Sequence, residues 1–106
     1  MKYVSGPHYI YKRDDLKVGE PTPWHGHSFP HNTVVINGRA RVELDGWSRD
    51  VSSSDEEPWV LVPAGVHHRV TKLTEEAQVC CFFSHFNPET GEPVDAFKYR
   101  NERAYK

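Results

Sequence analysis

Along most of the chain the apolar residues do not return every three or four positions. They come in short β-branched and aromatic runs bounded by Gly, Pro, Asn and Asp, the pattern of strands and turns. An all-β fold is predicted. Thr33-Val34-Val35-Ile36, Asn37-Gly38 and Arg39 to Leu44 read as a hairpin, because Asn-Gly takes the positive φ angles of a two-residue turn. In its second strand Ala40, Val42 and Leu44 alternate with Arg39, Arg41 and Glu43, so the even positions are expected to face the core. Asp45-Gly46 makes a second turn before a short strand from Trp47 to Val51, and Ser52 to Glu57 is polar enough for a surface loop. Trp59 to Val62 is a further strand that Pro63-Ala64-Gly65 stops, and His68 to Thr74 follows. Ala77 to Phe86 is so apolar that both its faces need cover, and a second subunit is expected over the outer one. Val94 to Lys106 reads as a short helix or an irregular clasp.

Composition narrows this picture. A chain of 106 residues, 37% of them hydrophobic, can fill one compact core, and a single domain over 1–106 is expected. Thirteen basic and fifteen acidic side chains give a formal charge of -2, which leaves no basic footprint for nucleic acid or for a membrane surface. No apolar leader follows Met1, and no run approaches the roughly 18 apolar residues of a membrane span, so a cytoplasmic protein is expected. Cys80 and Cys81 are adjacent and would point to opposite faces of a strand. They are read as packed thiols rather than a disulfide.

The outlier is histidine. Of seven, three lie between His25 and His31 and two are His67 and His68, with His8 and His85 apart. On an extended segment His25 and His27 share a face and His31 keeps their parity. A closed barrel could bring a fourth ligand, His68, across its interior. Four imidazoles converging in a core would be costly without a cation, so His25, His27, His31 and His68 are expected to hold one divalent ion. His67, on the other face from His68, is read as a surface residue. Trp24 and Phe29 flank the cluster, and His85, Arg69, Tyr9 and Tyr11 are further candidates to reach its cavity. No nucleophile elbow, phosphate loop or Cys-x-x-Cys pair occurs.

The spacing Gly19, His25-Gly26-His27, His31, Gly38, written G-x5-H-x-H-x3-H-x6-G, and the later Pro63-Ala64-Gly65-Val66-His67-His68, written P-x-G-x2-H, resemble the two motifs of the cupin superfamily. The resemblance spans about half the chain, from Gly19 to about Lys72. It implies a double-sheet jelly-roll barrel with a metal between the sheets, held by His25, His27, the residue at position 31 and His68. Where most cupins carry a glutamate ligand, this chain has His31. Outside the metal shell, Glu57 and Lys72 replace a usual glycine and asparagine of the second motif.

A histidine in the carboxylate's place changes the chemistry. Four neutral imidazoles leave a divalent site at +2, where three imidazoles and a carboxylate leave +1. The stronger Lewis acid should prefer a small anionic, chelating organic ligand such as an enolate, hydroxy acid or catecholate. Imidazole suits Fe, Mn, Ni, Zn and Cu nearly alike. By resemblance to oxygen-using cupins, Fe or Mn is favoured, which implies a metal-dependent dioxygenase. Two alternatives stand beside it: a non-redox isomerase, cyclase or lyase, and a non-catalytic binding module. A homodimer is the expected assembly.

Overall fold

A computed structural model describes residues 2–5, 8–84 and 90. Among them lie eight strands and no helix: β1 (Lys2–Ser5), β2 (His8–Arg13), β3 (His31–Asn37), β4 (Arg39–Leu44), β5 (Trp47–Ser52), β6 (Trp59–Val62), β7 (His68–Lys72) and β8 (Gln78–Ser84). They form two antiparallel sheets, one of five strands in the order β1-β2-β8-β3-β6 and one of three in the order β5-β4-β7. The all-β, double-sheet expectation holds. The predicted C-terminal helix or clasp and His85 lie outside the described residues.

Alternation explains why these segments become strands. On β4, Ala40 and Val42 are buried while Arg39 and Arg41 face water, as the even-position pattern requires. On β3 the odd positions His31, Thr33 and Val35 are buried, and on β6 so are Val60 and Val62. Val35, Ala40, Val42, Val51, Val60, Val70 and Val79 meet between the sheets as a dry core. The outward face of the larger sheet leaves Ile36, Trp59 and Leu61 about half exposed.

One prediction fails. β3 and β4 do not pair across Asn37-Gly38: β3 lies between β8 and β6, and β4 between β5 and β7. A two-residue hairpin turn takes two residues out of the ladders, but here Asn37 ends β3, Arg39 begins β4 and Gly38 alone lies between them. Gly38, at φ 65°, is a corner at which the chain leaves one sheet for the other. A side chain there would run into Thr74 Oγ1 and the Ala77 backbone, so the corner needs glycine twice over. The two-residue hairpin sits at Asp45-Gly46 instead, with Leu44 opposite Trp47 and Gly46 at φ 74°.

β8 lies between β2 and β3 and buries Val79 and Phe83 on one parity and Cys80 on the other, while Phe82 is half-buried.

Candidate metal centre

The segment ahead of β3 is not a regular strand, and a bend at Ser28-Phe29 separates His25 and His27 from His31, so one extended run does not carry all three. It runs along β7 by isolated bridges, Val18 to Lys72, Pro21 to Thr71 and His25 to His68. His25 and His68 exchange both backbone hydrogen bonds, His25 N donating to His68 O at 3.1 Å and His68 N to His25 O at 2.8 Å. Their rings therefore meet, with centroids 4.2 Å apart. His27 follows two residues on, and its carbonyl accepts from Gly65 N at 2.7 Å, tying it to the turn that ends β6. His31 opens β3 in the opposite sheet.

One ring nitrogen each of His25, His27 and His68 fall within 4.8 Å of one another. His31 stands beside them, its centroid 4.8 Å from that of His68 and 5.1 Å from that of His27. It is 3% exposed, and among the described residues neither of its ring nitrogens has a hydrogen-bond partner. A neutral imidazole carries one N–H and one lone pair, and leaving both unsatisfied in a core is costly. A cation beside the lone pair would remove part of that cost.

Burial keeps three of the rings neutral. Burial, reinforced by the neighbouring imidazoles, lowers His31 from 6.5 to about 3. Burial first, then the charge of His25, lowers His27 and His68 to about 4. At neutral pH these three rings keep their lone pairs. His25 Nδ1 lies 2.9 Å from the Pro23 carbonyl oxygen, which can only accept, so Nδ1 carries a hydrogen and Nε2 is the nitrogen left to face a ligand. A metal-ligating histidine is commonly oriented in this way.

The cluster opens onto a cavity of about 490 Å³ between the sheets. Phe29 stacks on His27 with centroids 5.0 Å apart and reaches Phe83 at 4.4 Å, and Phe83 stacks on Tyr9 at 4.6 Å. Aromatic surface thus runs from the histidines to β2, where Tyr9, Tyr11 and Arg13 alternate onto the cavity. Cys81 also lines it. Burial pushes its thiol up to about 11 and raises that of Cys80 as well, so neither is a thiolate at neutral pH.

The flanking candidates separate. Phe29, Tyr9 and Tyr11 line the cavity, and Trp24 and Arg69 do not. Arg69 alternates with His68 and Val70 and so faces outward, where it forks onto Glu43 at 3.0 and 3.2 Å and lies 4.7 Å over the Trp24 ring. His67 is exposed, as read. Sequence reasoning missed Arg13 and Thr22. The period-two run Tyr9, Tyr11, Arg13 was the available signal for the first. Thr22 is fixed by its backbone, since Thr22 N donates to Val70 O at 3.0 Å and its hydroxyl accepts from Val70 N at 3.0 Å.

No protein-family model matches the chain, and no curated protein matches it by sequence. Solved structures do match. KdgF from Halomonas sp. is 22% identical with a TM-score of 0.64, covering 84% of this chain and 79% of its own. A cupin-2 domain containing protein from Shewanella frigidimarina is 16% identical with a TM-score of 0.61, covering 80% of each chain. An RmlC-like cupin family protein with a double-stranded β-helix fold, from Methanocaldococcus jannaschii, is 15% identical with a TM-score of 0.55, covering 94% of this chain and 86% of its own. Two antiparallel sheets, the motif glycines at a corner and a turn, and histidines gathered between the sheets agree with these likenesses: the chain has the cupin fold.

Proposed function

We propose that this chain is a metal-dependent cupin-fold enzyme acting on a small oxygenated organic substrate, an Fe(II)- or Mn(II)-dependent dioxygenase whose ion is held by His25, His27, His31 and His68. One observation carries the metal: His31, 3% exposed, has two ring nitrogens without a partner among the described residues, beside three converging histidines. The donor set fits a borderline transition metal, because all four ligands are imidazoles and none of the described residues that line the cavity is a carboxylate.

When bound, such an ion supplies Lewis acidity and one-electron chemistry with dioxygen at a site of charge +2. The chain's own residues do the rest. His27, His31 and His68 stay neutral through burial and need lose no proton to bind the ion. The Pro23 carbonyl sets the tautomer of His25. Phe29, Phe83 and Tyr9 present apolar faces that exclude bulk water from a planar or unsaturated substrate.

A second reading is a non-redox isomerase, cyclase or lyase, which needs a group to move a proton beside a carbonyl held at the metal. Tyr9 and Tyr11 on the cavity wall favour it. Elemental analysis of protein purified without chelator, followed by oxygen uptake of the iron- or manganese-loaded protein with diketones, catechols and thiols, tests the first reading. Near one metal per chain and oxygen consumption with one of these classes is the expected result. A loaded protein that consumes no oxygen with any of them, yet exchanges solvent deuterium into a carbonyl compound, replaces it with the second. Binding of a chelator without either reaction leaves a binding module.

A further inference from the structure

We propose that Arg13 selects ligands bearing a carboxylate, so that the molecule taken up is an organic acid anchored at one end by the metal and at the other by the guanidinium of β2. The proposal rests on the metal reading above and adds the second anchor. Among the described residues that line the cavity, Arg13 is the one with a permanent charge, and none is acidic. Its side chain is 13% exposed. Tyr9 and Tyr11 precede it on the same parity, and the register sets Tyr9 against Phe83, Tyr11 against Cys81 and Arg13 against Val79. The guanidinium therefore lies at the end of a row whose other members form the aromatic wall.

The guanidinium is also held in place. Asp15 takes its Nε and Nη2 in a fork at 3.0 Å each, and this contact holds the Asp15 carboxyl below its usual range. Asp15 is 61% exposed, so water and salt screen its charge. Of the five N–H groups of a guanidinium, the fork engages two. Three remain to donate to a carboxylate, and the side chain is already ordered before a ligand arrives, which lowers the cost of binding. Between the two anchors the walls are Tyr11, Phe29, Phe83 and Pro23, surfaces suited to a flat apolar body. A dihydroxy- or oxo-acid with an aromatic or unsaturated middle meets all three demands.

Catechol and 3,4-dihydroxybenzoate separate the anchors, because both chelate a metal through two ring oxygens and only the second carries a carboxylate at the far edge. Binding to the Fe(III)-loaded protein is read from the catecholate charge-transfer band, with metal content and melting temperature measured for every variant. The wild type should bind dihydroxybenzoate about tenfold or more tighter than catechol, the scale of a charge-assisted hydrogen bond. Arg13→Gln should bring that ratio close to one, and Arg13→Lys should keep part of it, since charge survives without the fork. A loaded wild type that binds both ligands equally overturns the proposal whether or not the variants fold. A loaded Arg13→Gln protein that keeps the preference also overturns it. A protein that retains no metal overturns the metal reading, and this inference with it.

Discussion

The space between the sheets has two ends that share strands but not chemistry. On β3, β7 and β8 the inward residues at one end are Val35, Val70 and Val79, part of a dry cluster of small aliphatic side chains. One or two inward positions further along the same strands they become His31, His68 and the cavity-lining Cys81 and Phe83. The valine end is complete by itself, because apolar packing needs no partner beyond the chain. The histidine end buries His31, whose ring nitrogens find no hydrogen-bond partner among the described residues. Two kinds of interior thus share the same strands: one end is held by apolar burial, the other gathers buried imidazoles.

Substitution should break the two ends differently. The largest effect is expected for His68→Ala, which should lower metal affinity by more than about 100-fold, beyond the 10–100-fold typical of residues that only orient a ligand. The metal-free melting temperature should change by only a few degrees, since the cavity left behind is offset by removal of a buried polar ring. Titration with a competing chelator beside a thermal melt reads both, and unchanged affinity would take His68 out of the ligand set. Next comes Val42→Ala at the dry end, which should cost about 2 kcal/mol. That is a fall of roughly 8–16 °C for a domain of this size, with metal stoichiometry unaltered.

Acid should act at the histidine end. His27 and His68 remain neutral to about pH 4 and His31 to about pH 3 in the fold, whereas an unfolded histidine charges near 6.5. Between those limits the unfolded chain binds more protons. The stability of the metal-free protein is therefore full above about pH 6.5 and lost as pH falls toward 4. Melting curves across that window should show the loss in wild type and a weaker one in His31→Leu. The smallest effect is expected at Arg69→Gln, since a partly exposed ion pair with Glu43 is worth under about 1 kcal/mol and lies outside the cavity. Ligand binding altered by Arg69→Gln would erase the distinction drawn between it and Arg13.

Much of this division was legible in the sequence because alternation is local. Ala40 and Val42, the strand from Trp59 to Val62 and the turn at Asp45-Gly46 all follow from neighbours a few residues away. The spacing of His25, His27 and His68 foretold a cluster that the structure brings together. Sequence did not reveal sheet membership. Asn37-Gly38 has hairpin chemistry, but its partner choice is decided by β8 and β6 for β3 and by β5 and β7 for β4, a tertiary contest that no dipeptide records. Arg13 escaped notice because its approach to the cavity depends on the pairing of β2 with β8, across most of the chain.

That pairing has a consequence in time. The smaller sheet can begin with β4 and β5, joined by a two-residue turn, whereas the larger one must bring His8 opposite Ser84, the kind of non-local closure that slows folding. We expect β4 and β5 to be ordered early and the wall carrying Tyr9, Tyr11 and Arg13 to dock last. Pulse-labelled hydrogen exchange during refolding would then protect the amides of β4 before those of β2, and the cavity would come into being only as the final strand closes.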